Sequence, residues 1–185
     1  MQKQPWLQAH SGKAIDLLNP DPSSILIEDI AHALARIGRY TGHTTGNSIY
    51  SVAQHSCIVA GLLPDELKFE GLMHDAHEAY IGDISTPVKD AIRALGGGSG
   101  LDTLDQLWMS AIAKRFGFSE HHSPSVKHAD RQALVHEVGS FLAPSERPWV
   151  FDGLIQGGTY YSAWSIDTAQ RYFLRMFKEL APPGV

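Results

Sequence analysis

The sequence predicts an all-α domain, a helical bundle preceded by a short N-terminal β-hairpin. Three observations support this. Apolar residues recur at spacings of three and four in one segment after another, and Ser, Thr, Gly and Pro stand where those segments should start and stop. No internal repeat or domain boundary interrupts them. A chain of 185 residues is long enough to bury a sizeable core as one domain, residues 1–185.

Trp6 to Leu18 carries a Ser11-Gly12-Lys13 turn between short runs of mixed polarity, the pattern of a small hairpin, and ends in the loop Asn19-Pro20-Asp21-Pro22. A helix then opens at Ile27, with Ile30, Leu34 and Ile37 on one face and Glu28 and Asp29 in the first turn, where the helix dipole favours carboxylates. Gly38 closes it. The polar segment Arg39 to Asn47 has no clear periodicity. Ser51 caps a helix that runs to Leu63, where Pro64 stops it. Glu66 to Tyr80 reads as one helix, and in the turn Gly82 to Pro87 either Ser85 or Thr86 caps a further helix through Leu95. Gly96-Gly97-Gly98-Ser99-Gly100 lacks the Lys-Ser/Thr and the preceding strand of a phosphate-cradling loop, so it reads as a flexible linker. Helices follow at Leu101 to Phe116, Ser125 to Leu142 and Ile166 to Leu180, the last two joined by a long irregular connection from Ala143 to Ala163.

Hydrophobic residues make up 43% of the chain and charged residues 19%, an ordinary globular balance, and no apolar run approaches the length that crosses a bilayer. The opening Met1-Gln2-Lys3-Gln4-Pro5-Trp6 lacks the apolar core of a secretory signal. The lone cysteine, Cys57, lies in an apolar helical stretch that suits a buried thiol. Both features point to the cytoplasm and away from a membrane. The net charge is -5 and no segment concentrates Lys and Arg, which argues against polymeric nucleic acid as a partner. A small phosphorylated substrate remains compatible, because a metal and one or two cations neutralise a phosphate locally.

His55, His74, Asp75 and Asp130 ask for a chemical explanation. His74 and Asp75 interrupt the otherwise apolar stripe from Gly71 to Tyr80, and polar groups placed there need partners. Two imidazoles and two carboxylates are ligands for a divalent ion. A metal that hydrolyses phosphate esters needs such a partly open nitrogen and oxygen site rather than a closed thiolate cage. Adjacent helical residues differ by about 100° in direction, so His74 and Asp75 reach one ion only over the flank between them. His55 then closes from the preceding helix, and Asp130 delivers a fourth ligand from the amphipathic segment Val126 to Leu134. Glu78 follows His74 by four positions, on the same helix face. Trp149, Tyr160, Tyr161 and Trp164 could stack a base, although aromatics in an irregular segment more often pin it to the core.

The pattern His, His-Asp, Asp resembles that of the HD-domain metal-dependent phosphohydrolases. Ser51-Val52-Ala53-Gln54-His55-Ser56 resembles the first-ligand helix of the small bacterial nucleotidases of that superfamily. The run from His74-Asp75-Ala76-His77-Glu78 through Thr86-Pro87-Val88-Lys89 is similar to their second block. The resemblance is to the YfdR-like branch, related to the YfbR-type deoxynucleoside 5'-monophosphatases. It runs from about Ser11 to Glu137 and includes Asp29 to Leu34, Arg39-Tyr40 and Gly42-His43. The C-terminal third resembles that branch only loosely, and Glu137 to Phe141 does not keep its charged pattern.

This resemblance implies an HD-domain helical bundle with one mononuclear site, in which His55, His74, Asp75 and Asp130 bind a divalent ion: Mn, Co, Ni, Fe, Zn or Mg. It implies that Glu78 is the general acid or base and that Asp83 orients water or contacts the sugar. Arg39 matches an arginine that clamps phosphate, and its fork of donors suits a tetrahedral oxyanion. Lys89 is a further candidate for that task. Tyr40 matches a position that touches the base or sugar, His43 follows the family pattern with a substrate or supporting role, and Thr86-Pro87 matches a turn that crowds the 2' position of ribose. His77 is not required by the motif. The implied activity is removal of the 5'-phosphate from a deoxynucleoside monophosphate by a homo-oligomer, a dimer or larger. A deoxynucleoside triphosphate hydrolase and a nucleotide-binding sensor with little turnover remain as alternatives.

Overall fold

The fold is organised around a helix that is buried on every side. The computed structural model describes residues 4–155, 157 and 159–185; Met1 to Lys3 of the N-terminal segment and positions 156 and 158 of the long connection lie outside them. Two short antiparallel strands come first, β1 (Trp6–Gln8) and β2 (Ala14–Asp16), with Trp6 opposite Asp16 and Gln8 opposite Ala14. The helices are α1 (Ile27–Leu34), α2 (Val52–Gly61), α3 (Lys68–Met73), α4 (Glu78–Ile81), α5 (Thr86–Ala94), α6 (Ser99–Phe116), α7 (Pro124–Phe141) and α8 (Ile166–Leu180). The architecture is mostly α with a short N-terminal hairpin, as the sequence predicts.

Every residue of α2 from Val52 to Ala60 is buried, and α1, α3, α7 and α8 pack around it. A helix with no polar face can be satisfied only in this central position. Ser51 caps it by accepting from the Gln54 N–H. Its polar side chains are each bonded: Ser56 Oγ donates to the Val52 carbonyl at 3.0 Å, and Gln54 and His55 bind groups from other elements. Cys57 is buried, as read. On the far side of the bundle, α4 packs against α1 and α6, where Trp108 is fully buried and stacks on Tyr80 at 4.1 Å. The Trp108 indole N–H donates to the Leu17 carbonyl at 3.2 Å. Ser11 donates from N and Oγ to the Asp29 carboxylate, both at 2.7 Å, tying the hairpin turn to α1. Among the described residues, no helix is long and apolar enough to cross a membrane.

Three elements depart from the sequence reading. The first helix ends at Leu34 rather than Gly38, because Gly38 is extended and bridges Ser51 before a 3-10 turn over Arg39–Gly42. Arg39 N–H donates to the Tyr50 carbonyl at 2.9 Å, and Val52 N–H to the Ile37 carbonyl at 3.0 Å. The single helix from Glu66 to Tyr80 is instead a 3-10 turn (Asp65–Leu67), α3 and α4, with residues 74–77 between the two helices. In that break the N–H groups of Ala76, Glu78, Ala79 and Tyr80 each bond three residues back, the tighter 3-10 pattern. The glycine-rich linker is shorter than read: Gly96 and Gly97 N–H bond back into α5, Gly98 (φ 112) opens α6, and Ser99 and Gly100 are helical.

The irregular connection after α7 is held by side-chain amides. Gln54 Nε2 donates to the Ser162 carbonyl at 2.9 Å while its Oε1 accepts from Trp164 N–H at 2.8 Å. Gln132 makes the same two-way contact with the backbone of Ile155, at 2.9 and 3.0 Å. Each amide thus replaces a missing stretch of backbone partner. Gln54→Leu should cost about 1–3 kcal/mol in denaturant unfolding, the penalty of leaving such groups unpaired. It should also speed proteolysis and amide exchange within 143–165 while leaving α5 unchanged.

Candidate metal centre

Three packed elements converge beside the buried centre of α2. His55 projects from the second turn of α2 and is fully buried. His74 and Asp75 occupy the break between α3 and α4, and Asp130 lies in α7. One ligand atom from each of His55, His74 and Asp130 falls within 4.8 Å of the others, so these three could hold a metal ion. His55 Nε2 is 3.2 Å from His74 Nε2 and 3.1 Å from Asp130 Oδ1, and His74 Nε2 is 3.9 Å from that oxygen. Asp75 Oδ2 joins them, 3.5 Å from His55 Nε2 and 3.2 Å from His74 Nε2. Ligand atoms about 2.0–2.2 Å from one ion stand roughly 3 Å or more apart, which these spacings fit.

The far sides of the rings decide what the near sides present. His74 Nδ1 lies 2.7 Å from the Gly71 carbonyl, and His55 Nδ1 lies 2.5 Å from Glu137 Oε1. A carbonyl and a carboxylate only accept, so each neutral ring carries its proton on Nδ1 and aims an Nε2 lone pair inward. Two such lone pairs facing each other at 3.2 Å beside two carboxylates repel unless a cation lies among them. A proton is one such cation. Against burial and the Arg39 charge, Glu137 and Asp130 raise the His55 pKa to about 9. A divalent ion is another, and this ligand set could hold one there.

Glu137 is the residue that the sequence reading missed. Its carboxylate is fully buried and accepts from Tyr40 Oη at 2.5 Å and Tyr50 Oη at 2.7 Å as well as from His55 Nδ1, with Arg39 Nε 3.5 Å away. Burial alone would raise its pKa, but His55 and Arg39 hold it far below the usual carboxylate range. A signal was present: Glu137 follows Asp130 by seven positions, two turns along one face of α7, between buried Val135 and Phe141.

The remaining predicted residues divide by position. Arg39 Nη1 is 3.4 Å from Asp75 Oδ2, so its guanidinium borders the centre. Glu78 no longer shares a continuous helix with His74, since it begins α4, yet it is buried and its Oε2 has no hydrogen-bond partner among the described residues. Burial, then the charges of Asp75 and Asp83, push its pKa well above the ordinary value. Asp83 is half-buried in the turn beyond, and burial raises its pKa against the pull of Arg39. Lys89 Nζ is engaged by Asp105 Oδ2 at 2.8 Å. Tyr40 gives its hydroxyl to Glu137, and Thr86 and Pro87 are exposed in the first turn of α5, where Ser85 occupies the cap position. His43 is exposed after the Arg39 turn and makes no side-chain hydrogen bond among the described residues. Trp164 packs on Tyr172 of α8, Tyr161 on His136, and Trp149 on Phe151, while Tyr160 is exposed. His77 is buried outside the ligand set.

The carboxylate behind His55 gives the first test of the centre. Glu137→Gln should weaken binding of a divalent ion about 10- to 100-fold, because an amide no longer fixes the tautomer or the basicity of the ring. Titration of the metal-free protein, followed by calorimetry, checks this.

No family model matches the chain. Over 138 residues, 71% of this chain, it is 40% identical to an uncharacterized protein of Rhodobacter capsulatus, of which it covers 68%. Over 134 residues, also 71% of this chain, it is 36% identical to the uncharacterized protein YfdR of Escherichia coli strain K12, of which it covers 70%. With identity at that level over most of each protein, the chain belongs to the family of YfdR.

Proposed function

We propose that this protein is a metal-dependent phosphohydrolase of the HD-domain type that removes the 5'-phosphate from deoxynucleoside monophosphates. The observation that carries the reading is the convergence of two inward Nε2 lone pairs and two carboxylates with an unpartnered buried acid, Glu78, in the same neighbourhood. The motif resemblance around His55 and His74-Asp75 supports the reaction class. The same reading has the protein act in the cytoplasm as a homo-oligomer.

His55, His74, Asp75 and Asp130 would hold a divalent ion, which would supply Lewis acidity for activating water and polarising the phosphoryl group. Arg39 offers its free guanidinium donors to the non-bridging oxygens, while Asp75 and Glu137 fix its direction. In the reaction a water oxygen bonds to phosphorus as the bond from phosphorus to the 5' oxygen breaks. Glu78, kept protonated by burial and its acidic neighbours, gives its proton to the leaving oxygen. Asp83, across the turn, accepts from the attacking water. The low dielectric of the site strengthens each of these contacts.

A screen of divalent ions against nucleotides, separating phosphate, pyrophosphate and triphosphate, should yield orthophosphate alone. The activity should disappear with a chelator and return when the ion is restored. Release of triphosphate would replace this reading with that of a triphosphate hydrolase. Glu78→Gln should lower kcat about 10²- to 10⁴-fold with unchanged metal content; wild-type turnover in that variant would remove Glu78 from its role.

A further inference from the structure

His122 lies in the loop between α6 and α7, and the loop is fixed on its α7 side. Ser123 N–H donates to Glu70 Oε1 at 2.5 Å, and Ser123 Oγ caps α7 by accepting from Val126 N–H at 3.3 Å. This anchoring sets the His122 ring edge-on against His74, with centroids 5.9 Å apart and planes at 71°. Its Nε2 is buried and has no hydrogen-bond partner among the described residues. Packing against His74 accounts for the ring, since any aromatic would shield that ligand. It does not account for a nitrogen turned away from water with nothing to bind, which is costly to bury.

The buried side-chain atoms without a hydrogen-bond partner, among the described residues, are Arg39 Nε, His77 Nδ1, Glu78 Oε2, Tyr80 Oη and His122 Nε2. Arg39 and Glu78 border the centre and already have assigned tasks. His122 joins them from a third element, in contact with a ligand histidine. Arg39 approaches from the Asp75 side and His122 from the His74 side. A tetrahedral phosphate presents oxygens in several directions, so donors from two sides hold it better than one fork alone.

We infer that His122 is a substrate-binding residue whose Nε2–H donates to a phosphoryl oxygen of the nucleotide at the His55, His74 and Asp130 centre. The inference rests on the phosphohydrolase reading for its ligand. Inorganic phosphate, with the same oxygens, is a ligand in its own right and gives an independent probe.

The test uses the metal-loaded full chain and two variants. His122→Phe keeps the ring against His74 and removes the donor; His122→Gln returns an N–H near the Nε2 position. For His122→Phe, KM for a deoxynucleoside monophosphate and Kd for inorganic phosphate should both rise about 10- to 100-fold, as for loss of a hydrogen bond to a charged group, with kcat changing less. Metal content and Tm should stay at wild-type values. His122→Gln should recover most of the lost affinity. Wild-type phosphate affinity in His122→Phe would overturn the inference, and so would loss of metal or of thermal stability in that variant, since the ring would then only support His74. If the wild type hydrolyses no monophosphate but binds phosphate in a His122-dependent way, the phosphohydrolase reading fails and this inference stands.

Discussion

The hydrogen bond from His55 Nδ1 to Glu137 is the contact on which the centre depends. It fixes the ring of His55, settles which nitrogen carries the proton, and leaves the other to face His74 and Asp130. Burying a carboxylate is expensive unless its lone pairs are occupied, and here two tyrosine hydroxyls, an imidazole and a nearby guanidinium surround it. Those groups come from α2 and from the loop before it, and the carboxylate itself from α7. One carboxylate therefore draws three separate parts of the chain to a single point, and the candidate ligand His55 is held by what lies behind it.

Much of this was legible in the sequence, and what was not has a common cause. The hairpin, the start of α2 at Ser51 and the whole of α8 follow from local signals: a turn, a cap, an apolar stripe read at Ala169, Tyr172, Phe173, Met176 and Leu180, of which Ala169 and Phe173 are buried. His55, His74, Asp75 and Asp130 were legible as residue types with metal chemistry, and the fold brings them together. The break between α3 and α4 was not legible, because the apolar period runs straight through it. There the Gly71 carbonyl accepts from the His74 ring, and the backbone that follows α3 tightens to 3-10 spacing. A side chain competing for a backbone acceptor leaves no mark on hydrophobic periodicity.

Glu137 escaped for a similar reason. A glutamate in an amphipathic helix ordinarily belongs to the solvated face, and only its long-range partners, Tyr40, Tyr50 and His55, reveal it as buried. His122 was equally silent, since its place beside His74 depends on how the loop before α7 is anchored. Local pattern identified the groups able to do chemistry; contacts between distant segments determined which of them are aimed.

The Arg39 turn holds Tyr40 at φ 56 and Thr41 at φ 54, a left-handed backbone that ordinary side chains avoid. Such residues cost about 1–3 kcal/mol each and persist only where surrounding contacts over-determine them. Here the Tyr40 hydroxyl is secured by the same carboxylate that orients His55. The turn is therefore a loaded spring whose catch lies inside the bundle. Change on the exposed outer part of this loop, His43 to Ile49, leaves the catch alone, whereas change at the catch releases the guanidinium and loosens the His55 ring together. The two halves of the site are bound to vary as a unit.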